Sequence, residues 1–204
     1  VPIPSPDSRP DLVKPVIFDD LANKLQRLYQ YRELYQENQT LRRELARRES
    51  GDELIGSSKA VQELQEAIRK VAVTGANVLL VGESGTGKQL VARGVHKAGP
   101  NRQERFLAAN CSTRPVELLE TQLFGSTVSD QVGLFRHAGE GTVFLDEVAQ
   151  LPLSTQGRLL RAIEHSEITP VGSAEPVWHH VRVIDATTRD LKREVDDGKF
   201  DLAL

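Results

Sequence analysis

Gly82, Glu83, Ser84, Gly85, Thr86, Gly87 and Lys88 follow the apolar run Val78–Val81 and precede Leu90 and Val91. The pattern is G-x-x-x-x-G-K between a strand and a helix, and its chemistry is the holding of nucleotide phosphates. Glycine lets this backbone turn tightly, so that successive N–H groups converge on phosphate oxygens. A helix starting near Lys88 aims its positive end, roughly half a charge, at the same anion. Lys88 adds a full charge on a flexible stem. Gln89 follows, where a Ser or Thr hydroxyl usually meets the metal ion.

A second group completes the chemistry. Val143, Phe144 and Leu145 read as an apolar strand that delivers Asp146 and Glu147 to its carboxyl end. Asp146 is the candidate ligand for Mg²⁺, directly or through water. Glu147 is the candidate for orienting the water that attacks a terminal phosphate. With Gln89 in place of a hydroxyl, magnesium relies on Asp146 and on phosphate oxygens.

Alternating strands and helices must position these groups. Ser57 or Ser58 caps a helix whose Val61, Leu64, Ile68 and Val71 form one face. Strands are expected at 77–81, 106–109, 142–145 and 181–184, with helices at about 88–97, 115–122 and 154–165. This alternation predicts an α/β fold whose parallel sheet is covered by helices on both faces. Ligands then sit at the carboxyl ends of the strands, where the glycine turn lies.

The N-terminal quarter reads differently. Residues 1–18 carry prolines at 2, 4, 6, 10 and 15 and look irregular. After Asp19 and Asp20, the positions Leu21, Leu25, Leu28, Tyr31, Leu34, Asn38, Leu41 and Leu45 recur at spacings of three and four. Residues 19–50 are therefore expected to form a long linker helix with a narrow apolar seam, a dimerising coiled coil. A single helix packed on its own domain is the plainer alternative. Glu49–Asp52 breaks that helix, and the globular core is expected over 51–204, beginning near Leu54–Gly56.

Composition narrows the function classes. Net charge is −3, with no overall basic footprint for nucleic acid. Cys111 is the sole cysteine, so neither a disulfide framework nor a cysteine metal cluster is available, and a reducing cytoplasm fits. No apolar run approaches the ~18 residues of a membrane span. The start at Val1, the lack of methionine and the end at Leu204 read as a piece of a longer chain. Trp178, His179 and His180 read as a strand-entry turn rather than a metal site, because no third ligand is near. Cys111 reads as a small buried residue rather than a nucleophile.

The motifs together resemble the sigma-54-interacting AAA+ ATPases, the bacterial enhancer-binding proteins of NtrC type. VLLVGESGTGKQLV at 78–91 is similar to the first nucleotide signature of that family, and GLFRHAGEGTVFLDE at 133–147 to the second, with Gly139 an unusual choice. Asn110–Cys111, Leu123–Gly125, Leu151–Leu153, Gln156, Val171–Gly172 and Val181–Ile184 leading into Ala186–Thr187 extend the likeness from about Leu54 to Phe200. The resemblance implies a P-loop NTPase of AAA+ type, a three-layer αβα sandwich, binding Mg-ATP. It implies that Asn110 pairs with Glu147 and switches it with nucleotide state. It also implies that Thr187 and Thr188 occupy the segment that senses the terminal phosphate, with Thr188 in place of the more usual Asn or His. Self-association is implied twice: a dimer through the linker helix, and a hexameric or heptameric ring through the core. Leu12–Val16 with its Lys-Pro pair resembles the end of a receiver domain, and a proline-rich tail is the alternative. DNA contact is expected only through a helix-turn-helix outside this chain.

Three positions depart from the family pattern. Between Gly125 and Gly133 the family carries a longer loop with GAFTGA that contacts the sigma-54 polymerase; here only Ser126–Val132 is present. That argues against sigma-54 remodelling. After Phe200 the family usually has an arginine that reaches a neighbouring subunit, and here Asp201 stands. Such a finger is worth about 10³–10⁵ in rate, so ATP binding is the firmer expectation and fast turnover the weaker one. Pro170 stands where a basic residue is usual. Three readings remain: an ATPase motor, a nucleotide-gated switch acting through oligomerisation or DNA binding, and a scaffold with a vestigial site.

Overall fold

The structure, a computed structural model, describes residues 54–112 and 115–204. The expectations for residues 1–18 and 19–50 fall outside the described residues. Helix α1 (Lys59–Thr74) opens on Ser58, whose hydroxyl accepts from the Val61 amide, and closes on Gly75 in the left-handed conformation. Its last carbonyls are satisfied from far along the chain. Arg182 donates to the carbonyls of Val71, Ala72 and Ala76, which removes the acceptors that a helix end leaves unpaired.

Strand β1 (Val78–Val81) leads through the glycine turn into α2 (Lys88–Ala98). Strand β2 (Phe106–Asn110), α3 (Val116–Phe124) and the single turn α4 (Leu134–His137) follow. Next come β3 (Thr142–Asp146), a 3₁₀ turn at Val148–Gln150 and α5 (Leu153–His165). A short antiparallel pair, β4 (Glu167–Ile168) with β5 (Val177–Trp178), precedes β6 (Arg182–Thr187) and α6 (Leu191–Asp196).

Four strands form one parallel sheet in the order β1–β6–β3–β2. Two apolar cores cover its faces. Leu119, Leu123, Phe124, Phe135, Val143, Leu145, Leu159 and Val183 fill one. Ile68, Ala92, Val95, Phe144, Ile184 and Ala186 fill the other. Val143 and Leu145 thus enter one face while Phe144 enters the opposite one, the period of two that a strand enforces. This explains why Thr142 to Leu145 are all buried and why the segment carries no polar alternation.

The register puts the chemistry on one rim. Val81 pairs with Thr187, and Asn110 with Asp146, so the carboxyl ends of the strands lie side by side. The expected parallel α/β arrangement is what the structure holds, with bounds moved by a residue or two except in the last strand. That strand, expected at 181–184, runs on to Thr187, because β1 and β3 flank it and supply backbone partners. The short helices α4 and α6 and the β4–β5 pair were not anticipated; each is too brief to show a period of its own.

Gln156 ties the last segment to this body. Fully buried on α5, it donates to the carbonyls of Leu151 and Lys199 at 2.7 and 2.9 Å, and its oxygen accepts from the Asp201 amide at 2.7 Å. Both of its N–H donors and its oxygen thereby find backbone partners, as burial of a polar group requires.

Candidate functional site

The turn after β1 takes its shape from two left-handed glycines, Gly85 (φ 79°) and Gly87 (φ 87°), where an L side chain would be strained. Gly82 begins it by donating its amide to the Thr187 carbonyl at 3.2 Å. Thr86 closes it through its hydroxyl, which donates to the Glu83 carbonyl at 2.9 Å. Gly87 caps α2 without a side-chain acceptor, so the first amides of the helix face the turn. The Lys88 ammonium donates to the carbonyls of Gly82 and Glu83, each at 2.9 Å.

Ser84, Gly85, Lys88, Gln89, Asp146 and Glu147 line a single open cavity of about 370 Å³. The sheet order makes this inevitable: β1 and β3 are both neighbours of β6, and their carboxyl ends point the same way. Cations and backbone amides meet two carboxylates across a gap. Chemically, that suits a polyanion with a divalent cation between it and the carboxylates. Among the described residues no group of three or more His, Cys, Asp or Glu could hold a metal ion. A magnesium ion there would take Asp146 as its protein ligand and phosphate and water oxygens for the rest. The donor set fits that mode of binding.

Glu147 stands in the left-handed region at φ 57°, uncommon for a side chain of this size. Its Oε2 accepts from the Thr188 amide at 3.3 Å and from the Thr188 hydroxyl at 3.0 Å. The Asn110 Oδ1 accepts from the Ser112 amide at 2.8 Å and the Ser112 hydroxyl at 2.6 Å. Thr187 and Thr188 diverge. Thr187 is fully buried and its hydroxyl accepts from the Arg189 amide at 3.0 Å, whereas Thr188 is exposed on the rim. The structure thus gathers Lys88, Asp146, Glu147 and Thr188 at one end of the sheet. It turns the Thr187 hydroxyl back onto its own chain.

Two features of this neighbourhood were missed in the sequence. The Thr188–Glu147 pair joins residues 41 positions apart, so no local spacing announces it. Asp185 was passed over inside the last strand. It lies in the middle of the sheet, beside Leu79 on β1 and Leu145 on β3, and its Oδ1 is buried without a hydrogen-bond partner. Burial pushes its carboxyl up to about 7 from 3.8. The nearby Cys111 thiol is pushed up to about 12 by burial and by the carboxylates of Asp185, Asp146 and Glu147, which leaves it an inert buried thiol.

Asp185 therefore carries a pH-dependent cost. Folded, it keeps its proton between pH 3.8 and about 7, where the unfolded chain has released it. The native state binds the extra proton, so stability falls as pH rises across that window and is level above it. Asp185→Ala should accordingly raise unfolding stability at pH 8 by up to about 4 kcal/mol, less the packing lost with the side chain, and have little effect at pH 4. Denaturant unfolding at both values measures this; a loss at pH 8 would show that the carboxylate is satisfied where it sits.

Residues 126–132, between Gly125 and Gly133, form a tight turn. Ser126 and Gln131 exchange backbone hydrogen bonds at 2.9 and 3.0 Å, and the Ser126 hydroxyl accepts from the amides of Val128 and Ser129. The Thr127 amide donates to the Val171 carbonyl at 3.0 Å, and the Val171 amide to the Gly125 carbonyl at 2.9 Å. Asp201 is likewise held close to the body: its amide donates to Gln156, and its Oδ1 accepts from the Ala203 amide at 2.9 Å. His179 is buried against the Phe135 ring, and burial lowers its affinity for a proton. Its Nδ1 accepts from the Val181 amide; of the turn expected over Trp178–His180, Trp178 instead ends strand β5, because it pairs with Glu167.

Residues 54–204 match the model of the sigma-54 interaction domain. The chain belongs to that family. Within it, the chain is 40% identical over 174 residues to the nitrogen fixation protein AnfA of Azotobacter vinelandii, covering 82% of this chain and 33% of that protein. It is 42% identical over 154 residues to the response regulator PilR of Pseudomonas aeruginosa, covering 72% and 35%. The chain spans about a third of the length of these curated relatives. Crystal structures of NtrX from Brucella abortus in complex with ADP and with ATP each superpose with a TM-score of 0.71 at 32% identity. They cover 93% of this chain and 40% and 43% of those chains. The P-loop NTPase domain of an Escherichia coli sigma-54 activator, at TM-score 0.52 and 19% identity, shares the fold. The sigma-54 interaction domain here thus has the AAA+ P-loop NTPase fold expected from its signatures. Among the described residues, no helix is long and apolar enough to cross a membrane.

Proposed function

We propose that this sigma-54 interaction domain binds Mg-ATP between residues 82–89 and Asp146–Glu147, and couples nucleotide state to the regulation of transcription. The observation that carries this reading is the shared cavity: Lys88 lines it together with Asp146, at the end of β3, and Glu147, just after it. The NtrX complexes with ADP and ATP support it from a relative of the same fold.

The roles follow from position. Amides of Gly85 to Lys88 cradle phosphate oxygens, and Lys88 exchanges its carbonyl partners for them, a charge-assisted contact. Asp146 holds the magnesium ion, which neutralises phosphate charge when bound. Glu147 orients the attacking water and accepts its proton. Asn110, paired with Asp146 in the sheet register, stands beside this group. Residues 19–50 serve as a dimerising linker helix after a receiver-like end at 1–18, and the core assembles into a ring. DNA is reached through a domain outside this chain.

A second reading is favoured by one observation. The turn 126–132 is closed by the Ser126–Gln131 backbone pair and held at its start to Val171 through Gly125 and Thr127, and such a short, pinned segment presents no extended loop to a polymerase. That supports a nucleotide-gated switch acting through assembly or DNA binding, without motor output. Titration of folded protein with Mg-ATP in a calorimeter tests the shared core of both readings. One saturable site per chain is expected, and absence of heat in material that unfolds cooperatively would leave only a scaffold.

A further inference from the structure

We infer that a second cavity, at the amino ends of the strands, is a binding site for a small oxyanion of the phosphate type, with Arg182 as its cation. The cavity measures about 160 Å³, and its polar side chains are those of Asn77, His96, Asn101, Thr142, His180 and Arg182. Asn77 precedes β1, Thr142 begins β3 and Arg182 begins β6. This is the rim opposite to Lys88, Asp146 and Glu147, and it shares no residue with the nucleotide cavity.

The charge of Arg182 selects an anion. Its guanidinium is partly buried, and its three hydrogen bonds go to main-chain carbonyls: Nε to Ala76 at 2.9 Å, Nη1 to Ala72 at 3.3 Å and Nη2 to Val71 at 3.0 Å. Among the described residues no carboxylate forms an ion pair with it, and none lines the cavity. The end of α1 returns about half a negative charge for a whole positive one. Helix α2 also ends here, but with His96 and Lys97 in its last turn. Burial pulls the Arg182 pKa below its ordinary value, the mark of a charge that its surroundings do not fully compensate. Water in a polar cavity satisfies hydrogen bonds, but it supplies no countercharge.

Donors converge on the same space. A guanidinium carries five N–H groups, so two of Arg182's remain for a ligand. Thr142 is its register partner in the sheet, and the Thr142 hydroxyl lies 2.8 Å from His96 Nδ1. With the His96 proton on Nδ1, the ring donates to Thr142 and the hydroxyl hydrogen turns into the cavity. Asn77 Oδ1 accepts from the Val183 amide at 2.9 Å, which leaves its NH₂ as the group it offers. Asn101 gives one N–H to the Glu140 carbonyl and keeps the other. These donors outnumber the two oxygens of a carboxylate and suit the four of a phosphate.

Magnetic resonance of the five histidine rings in the full chain tests this, with inorganic phosphate as the probe at fixed pH and chloride of matched ionic strength as the reference. Phosphate should shift the His96 and His180 signals saturably, acetate should do so more weakly, and His165 should not respond. Lys88→Ala should leave the response intact. Arg182→Lys keeps a charge but loses the fork, and should weaken phosphate about tenfold. Should that variant fail to fold, Asn101→Asp puts a carboxylate at an exposed position of the lining and should weaken phosphate about threefold to tenfold. Shifts equalled by chloride would overturn the site, and so would their loss in Lys88→Ala, which would put the phosphate in the glycine turn. Full phosphate affinity in a folded Arg182→Lys or Asn101→Asp protein would overturn it as well. Acetate as effective as phosphate would overturn the ligand class.

Discussion

Lys88→Ala should weaken Mg-ATP binding about a hundredfold while leaving the unfolding midpoint nearly unchanged. Hydrogen bonds to charged groups are worth about 1.5–3 kcal/mol, and a hundredfold loss corresponds to about 2.7 kcal/mol. Lys88 reaches the phosphate as a full charge from the first position of α2, where the amides of the turn already converge. Its present partners are the carbonyls of Gly82 and Glu83, and Glu83 lies exposed, so water replaces the ammonium there at little cost to the fold. Calorimetry on the variant and the parent reads the effect directly. Equal affinities would mean that nucleotide, if taken up at all, binds elsewhere.

Glu147→Gln should give the opposite signature, with ATP bound as tightly as before and its hydrolysis slowed about 10²–10⁴-fold. Glutamine keeps the length of the side chain and an acceptor for Thr188, but it cannot take a proton from water. The measurement should be single-turnover phosphate release, because it isolates the chemical step from product release. Retained phosphate release in this variant would remove Glu147 from the role of base. Loss of ATP binding instead would make it a ligand rather than a base.

The contrast between the two variants follows from where their carbons are rooted. Lys88 begins a helix that is amphipathic over its own length, with Val91, Ala92 and Val95 on the buried side. Everything needed to place it is written within twenty residues of sequence. Glu147 depends on more. Its strand is legible as an apolar run, but its left-handed backbone and its grip by Thr188 come from two strands meeting.

Much of the fold was visible for the same reason. A strand buried on both faces must be apolar throughout, and Val143–Leu145 is; an amphipathic helix must repeat near 3.6, and the segment 59–74 does. The short elements were hidden, since one turn of helix at Leu134–His137 or a two-residue strand at Val177–Trp178 has no room for a period. Asp185 was hidden differently. A carboxylate in a run of Val, Ile and Ala suggests the strand's end, yet the backbone continues to Thr187 because β1 and β3 bond to it on either side.

Sequence by itself determined the ligand chemistry: glycines that permit left-handed turns, a lysine at a helix start, and a strand that ends in two carboxylates are all local properties. Tertiary structure alone decided which of these touch. The order β1–β6–β3–β2 brings the turn, the carboxylates and Thr188 to one rim, sends Thr187 inward, and folds the 126–132 turn against Val171. Such pairings join residues distant along the chain, and their partners are chosen by how two apolar faces pack against one sheet, which no short stretch of residues encodes.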